Sequence, residues 1–213
     1  MKIIHKYYPN LNNHQIEKFN QLLPIYSELN RDINLISRKD MKNFYTHHVL
    51  HSLSIAKFKR FMPGTRVLDL GTGGGFPGIP LAIFFPNVNF YLIDGIGKKI
   101  NSVKKVIKKI NLKNVVAKRV RAEEFNEIVD FVIVRAVSKI TTFLPWIRNN
   151  FSCSNLKSSE GGLICLKGGD LSDEISGFSC IDLVHLREYY DQDFFETKKL
   201  IYIPVKSFIN ESQ

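Results

Sequence analysis

Residues Val67–Gly75 read Val-Leu-Asp-Leu-Gly-Thr-Gly-Gly-Gly. A mostly apolar run this short, with turn residues directly after it, predicts a strand buried on both faces, as in parallel sheets. Gly71, Gly73, Gly74 and Gly75 let the backbone turn tightly and approach a bound molecule without side-chain clashes. Pro77 suits the first position of a following helix, where a missing N–H costs little. Strand, glycine loop and helix in this order predict a nucleotide-binding turn on an α/β sheet.

The downstream pattern agrees. From Thr65 onward, short apolar strands alternate with helices. Strands are predicted over Arg66–Leu70, Asn89–Ile93, Val115–Lys118, Asp130–Val134, Leu163–Lys167 and Lys199–Pro204. Helices are predicted over Pro77–Phe85, Lys98–Ile110, Lys139–Asn149 and Leu171–Ser176. Such alternation implies βαβ units and a mostly parallel sheet, with ligands beyond the carboxyl ends of its strands. Residues 1–62 read as helical. Asn13 is a candidate cap for a run bearing Ile16, Phe19, Leu22, Leu23, Tyr26 and Leu29, and Pro24 is expected to kink or divide it. Ser37 precedes a second helical stretch through Leu53. Pro63-Gly64 is the candidate boundary, giving an N-terminal helical cap over 1–62 and an α/β domain over 63–213. Residues 152–162 read as a loop.

The chain has 213 residues, with 30 Lys and Arg against 20 Asp and Glu, a formal charge of +10. That excess favours a polyanionic partner such as nucleic acid. Cys153, Cys165 and Cys180 form neither a CxxC pair nor an even set, which fits a reduced cytoplasmic setting. The N-terminal residues carry no signal-like apolar run, and no apolar stretch has membrane-spanning length. A soluble cytoplasmic protein without membrane attachment is expected.

Gly73 to Gly78 also fits GxGxxG, so a nicotinamide dinucleotide and S-adenosylmethionine both have to be weighed. Asp69 lies two residues before Gly71, where its charge suits a cationic methionine group better than a pyrophosphate. The prolines of Phe76-Pro77-Gly78-Ile79-Pro80 remove N–H groups that a diphosphate would use. Both features favour S-adenosylmethionine. Asp94, ending the second strand, can accept from ribose hydroxyls of either cofactor or cap the next helix. Near the end of the third strand, Ala122 and Glu123 could meet an adenine edge or simply begin a solvated helix.

Between Gly95 and Ala122 stand ten Lys or Arg residues and no acid. Lys104, Lys105, Lys108 and Lys109 fall on one side of the predicted helix, Ile100, Val103, Ile107 and Ile110 on the other. A single-sign face suits phosphate contacts, though a solvated helix gives the same pattern. After the fourth strand the chain reads Val134-Arg135-Ala136-Val137-Ser138. That is neither the Asn/Asp-Pro-Pro-aromatic motif of exocyclic-amine methylation nor the nucleophilic cysteine that carbon methylation requires. A ring nitrogen with its own lone pair needs neither and depends on alignment and charge placement. His47 and His51 have a metal-compatible spacing, but no accompanying ligand motif is present, so no metal is expected.

These residues resemble the bacterial small-subunit ribosomal RNA guanine-N7 methyltransferase family, also called the glucose-inhibited division protein B family. The resemblance runs through Asn30–Ser37, His48–Leu53, Asp69–Leu81, Arg121–Glu124, Val134–Ala136 and Leu166–Gly169. It implies a Rossmann-like class I S-adenosylmethionine methyltransferase sheet with helices on both faces and an N-terminal helical cap. It further implies methyl transfer to N7 of one guanine in small-subunit RNA by a monomer, acting on RNA or a ribosomal particle. Together with the residues weighed above, the implied cofactor positions are Gly71, Gly73, Phe76, Asp94, Ala122, Glu123 and Arg135. Arg135 and Lys167 are the implied substrate-facing positions, and no catalytic residue is implied. The chain departs from the family pattern at Gly95, often serine, at His51, usually aspartate, and at Leu29, often tryptophan. The competing functions are an NAD(P)-dependent oxidoreductase and a non-enzymatic RNA-binding assembly factor.

Overall fold

The computed structural model describes residues 1–151 and 161–208. Nearly all of the expected loop, with Cys153, lies outside the described residues. Two helices open the chain, α1 (Lys2–Tyr7) and α2 (Asn13–Leu29). The cap of α2 is Asn12 rather than Asn13. Its side chain accepts from the Gln15 amide while Gln15 accepts from the Asn12 amide, both at 3.0 Å. This reciprocal pair satisfies two otherwise orphaned donors. Pro24 does not divide α2, which continues unbroken to Leu29. Pro24 and Asn20 are both exposed, so the carbonyl that loses its partner is open to water.

The second helical stretch is less regular than its periodicity suggests. A single tight turn over Met41–Asn43 leads into a π-helix over Phe44–Leu50, and only then into α3 (His51–Phe58). Wide π turns recur at functional sites. This one turns the adjacent His47 and His48 onto a single carboxylate, Asp40.

The strands are β1 (Arg66–Leu70), β2 (Asn89–Asp94), β3 (Val115–Arg119), β4 (Phe131–Arg135), β5 (Gly162–Gly168), β6 (Asp182–His185) and β7 (Lys198–Pro204). They form one seven-stranded sheet in the order β3-β2-β1-β4-β5-β7-β6. The first five run parallel, while β7 is antiparallel to β5 and β6 to β7. The edge strand β6 was not expected from sequence, because its residues are exposed or half-buried and carry little apolar alternation. Helices α4 (Gly78–Phe84), α5 (Gly97–Lys109), α6 (Ile140–Ile147) and the short α7 (Ser172–Ile175) complete the fold.

Alternation along the strands divides the interior in two. Val67, Leu92, Ile133 and Ile164 join α4, α5 and the N-terminal helices in one core. Leu68, Ile93, Val132 and Cys165 join Ile140, Phe143 and Ile147 of α6 in the other. Helices therefore cover both faces. Phe19, Leu22 and Tyr26 of α2 belong to the same core as the first sheet face. Strand order reverses at β1, which pairs with β2 on one side and β4 on the other. A sheet of this kind opens its ligand crevice there, beyond the carboxyl ends of the strands.

Candidate active site

A cleft of about 370 Å³ opens at that switch point. Leu70 and Gly71 enter it from β1, Ile93 to Ile96 from β2, and Val120 to Glu123 from the turn after β3. Val137 and Trp146 close it from beyond β4. Its size lies in the ~300–1,000 Å³ range of small-molecule sites, and its walls are apolar with a few polar groups, as such sites require. A larger groove of about 660 Å³ between α2 and α5 mixes Ile16, Pro24 and Ile25 with the amides Asn13, Asn20 and Gln21 and with Glu17 and Lys109, away from the sheet edge.

Glycine is demanded where the loop leaves β1. Gly71 has φ +67°, and a Cβ there would stand 2.9 Å from the Val137 side chain. Asp94 anchors the loop from the neighbouring strand. One carboxylate oxygen accepts from the Gly73 amide at 3.0 Å, the other from the Ile96 amide at 2.8 Å. A carboxylate has about four lone-pair sites, so Asp94 retains acceptor capacity on the cleft. Glu123 is exposed at the opposite end, beside Ala122. Gly71, Asp94, Ala122 and Glu123 thus meet in one cleft, and Gly73 is bonded to it through Asp94.

Phe76 and Arg135 do not line this cleft. Phe76 is only 2% exposed, and the Arg135 guanidinium lies over its ring at 5.1 Å from the centroid. Arg135 donates from Nη1 to the His47 carbonyl and from Nη2 to His48 Nδ1, each at 3.2 Å. His48 Nε2 in turn bonds Asp40 at 2.7 Å. Burial, then the charge of Arg135, lowers the His48 pKa to about 4 against the pull of Asp40. His48 is therefore neutral near pH 7. Its partners select the tautomer that donates from Nε2 and accepts at Nδ1. Burial also brings Arg135 down to about 10, leaving it charged. Arg135 is thus not a surface ion pair but a cation held between the sheet and the π-helix.

Asp69 requires a correction. Expected to face a methionine ammonium, it is fully buried beneath α4. Its Oδ2 accepts from Thr72 Oγ1 at 2.6 Å and from the Gly78 amide at 2.8 Å, so it ties the glycine loop to the helix start. Its Oδ1 has no hydrogen-bond partner among the described residues. Burial raises its pKa to about 7, opposed by those two bonds and by Arg135. The reason lies in strand alternation: Asp69 shares the face of Val67, under α4, and not the strand end. Gly78 is glycine because a Cβ would meet Asp69 Oδ2 at 2.6 Å and Leu92 at 2.8 Å.

Lys167, expected to face substrate, is instead spent internally. Its ammonium pairs with Glu174 at 2.6 Å and donates to the Ser138 carbonyl at 2.8 Å, with both side chains largely buried. It holds the turn after β4. On α5, Ile100, Val103 and Val106 are buried while Lys104, Lys105, Lys108 and Lys109 are exposed. Among the described residues, Lys109 pairs with Glu28, whose charge also meets Lys105, and Lys104 and Lys108 show no acidic partner.

Trp146 was missed by sequence reasoning. Its signal was nonetheless present. It is the only tryptophan in the chain, and it falls off the Ile140, Phe143, Ile147 face that buries α6.

The strand order with β7 antiparallel, the glycine turn and the carboxylate-bearing cleft define a Rossmann-like α/β protein of the class I methyltransferase type. The sequence profile described as rRNA small subunit methyltransferase G matches residues 15–190. "Ribosomal RNA small subunit methyltransferase G" of Flavobacterium johnsoniae is 49% identical over 206 residues, covering 97% of this chain and 99% of that protein. The protein of the same name from Bacteroides thetaiotaomicron is 49% identical over 203 residues, covering 95% and 98%. In fold, the chain resembles the crystal structure of precorrin-6y C5,15-methyltransferase from Geobacter metallireducens GS-15. The TM-score is 0.54 at 13% identity, covering 80% of this chain and 90% of that one. The chain belongs to the rRNA small subunit methyltransferase G family.

Proposed function

We infer that this protein methylates small-subunit ribosomal RNA from S-adenosylmethionine, and that the acceptor is N7 of a guanine. The observation that carries the cofactor half is Asp94, held by Gly73 and Ile96 at the rim of an apolar cleft. That geometry suits a nucleoside whose ribose hydroxyls donate to a carboxylate. When bound, S-adenosylmethionine supplies an electrophilic methyl group. Gly71 and Gly73 would lie against its backbone-facing side, Asp94 would hold its ribose, and Ala122 with Glu123 would meet its adenine edge. The free acceptor capacity of Asp94 and the apolar walls fit that molecule.

At the acceptor, the N7 lone pair would take the methyl group that S-adenosylmethionine supplies, the S–C bond electron pair staying on sulfur. No proton has to be removed, so no general base is called for. The residues contribute alignment and charge. Arg135, fixed over Phe76 at the same strand edge, would orient the guanine or its phosphate. Phe76 supports Arg135 from below. The lysines of α5 would contact RNA phosphates without reading sequence. Residues 1–62 would act as a helical cap on the domain formed by 63–213, and the protein would act as a cytoplasmic monomer on RNA or a ribosomal particle. No helix among the described residues is long and apolar enough to cross a membrane.

Borohydride–aniline cleavage reports N7-methylguanine. RNA from cells carrying the protein should be cut at one small-subunit guanine, and RNA from cells lacking it should not. Equal cleavage in both would sink the N7 assignment. Failure to incorporate methyl groups into unmodified small-subunit RNA or particles would point to a non-enzymatic assembly factor.

A further inference from the structure

Trp146 is a large apolar side chain that the fold itself does not use. It is 39% exposed and belongs to neither hydrophobic core. The packing face of α6 is already supplied by Ile140, Phe143 and Ile147. Leaving an indole in water costs apolar burial that a polar residue on the same helix would not forgo. Yet Trp146 lines the cleft at the strand ends. A second outlying apolar residue, Ile96, 51% exposed, lines the same cleft from beyond β2. Two exposed apolar side chains from opposite sides of the sheet switch point therefore meet one concave site.

Between them lie the cleft's polar groups. Asp94 and Glu123 offer acceptors, and Arg121 and Ala122 bring the backbone of the turn after β3. Planar apolar surface flanked by hydrogen-bonding edges matches a purine, which is apolar on its faces and polar on its rim. Aromatic side chains take up base faces in this way in many nucleic-acid and nucleotide sites.

We propose that Trp146 is the nucleobase wall of the cofactor cleft, packing against the adenine ring of the bound nucleoside. This rests on S-adenosylmethionine occupying the cleft. It adds a binding residue from α6, an element that neither the glycine loop nor the Ala122-Glu123 turn includes. It has a direct physical consequence. As the chain's single tryptophan, Trp146 is the source of all tryptophan emission, so occupancy of the cleft must register in that emission.

The experiment titrates the full-length protein with S-adenosylhomocysteine, adenosine, guanosine and methionine. Tryptophan emission and calorimetry are followed in parallel. S-Adenosylhomocysteine and adenosine should each change the emission, and methionine and guanosine should not. Trp146→Ala should weaken S-adenosylhomocysteine binding by roughly 5- to 100-fold, the usual range for removing an aromatic platform from a base. Trp146→Phe, which restores an aromatic face, should recover most of that loss. Circular dichroism melts of both variants establish that they are folded. Suppose the wild type binds S-adenosylhomocysteine by calorimetry with unchanged emission, or Trp146→Ala keeps full affinity. Then the wall is wrong while the cofactor stands. Quenching by guanosine but not adenosine would give Trp146 to the RNA base instead, and overturn the proposal. If the wild type binds no S-adenosylhomocysteine at all, the cofactor assignment fails and the wall falls with it.

Discussion

Arg135 at the end of β4 donates to His48 of the π-helix at 3.2 Å, so the sheet edge and the N-terminal region share one hydrogen-bonded unit. Asp40 completes it from the other side of the imidazole. A charged guanidinium with only neutral acceptors, packed on Phe76, is costly to keep inside a protein unless it has a task.

Replacing Arg135 with alanine should lower kcat for methyl transfer by at least ~100-fold, the scale of deleting a well-placed charged group. The fold should remain intact. Arg135→Lys should recover little, since an ammonium cannot reach His47 and His48 together. Asp40→Asn should be milder than either, because it loosens His48 and not the guanidinium itself. Steady-state methylation of unmodified small subunits decides this. Full activity in Arg135→Ala would remove Arg135 from the mechanism.

Asp69→Ala should act on stability before it acts on chemistry. It deletes the acceptor for Thr72 and Gly78, leaving a buried amide and a buried hydroxyl unpaired. The expected cost is about 2–5 kcal/mol in urea unfolding. Asp69→Asn keeps an acceptor and should cost less. An alanine variant as stable as the wild type would show that the helix start does not depend on this carboxylate.

Gly78→Ala should be destabilising by about 1–3 kcal/mol, because its methyl group would overlap Asp69 and Leu92. Leu92 is fully buried and cannot yield. Thermal unfolding measures it. A neutral substitution would mean that α4 can move away from the sheet.

His51 predicts a pH dependence. It is buried, its Nε2 has no partner among the described residues, and burial followed by the charge of Arg135 holds its pKa well below the usual 6.5. Below pH 6.5 the unfolded chain takes up a proton that the folded chain refuses. Stability contributed by neutral His51 is thus present above pH 6.5 and lost as the pH falls. His51→Phe, set against Phe194 and Phe195, removes that linkage. The variant should lose less stability than wild type as the pH falls from 7.5 to 5. Urea unfolding at the two values tests it, and parallel losses in both proteins would refute it.

Changing Lys104, Lys105 and Lys108 to glutamine should weaken RNA binding and flatten its salt dependence. The slope should fall by about 0.7–0.9 for each phosphate that α5 no longer neutralises. Binding of S-adenosylhomocysteine and the melting temperature should not move, since these side chains are exposed and lie away from the cleft. An unchanged salt slope would make α5 a solvated helix only.

By itself, the order of residues determined the strand–glycine–helix turn, the alternating α/β plan and the basic face of α5. These are local: period, turn chemistry and charge are written within a few residues of one another, so neighbours suffice to read them. That Gly71, Asp94, Ala122 and Glu123 stand at or just past strand ends, around one cleft, was legible for the same reason. What only the tertiary structure decided was which way a side chain at a strand end turns and what it meets. Alternation sent Asp69 under α4 and away from the cleft. An ion pair with Glu174 took up Lys167. The π-helix, which no periodicity announced, brought His47 and His48 against Arg135 from nearly ninety residues away in the chain. Trp146 acquired a role only because α6 leaves it facing the same opening as Asp94. Such contacts depend on the packing of the whole molecule, and packing couples residues that the sequence keeps far apart.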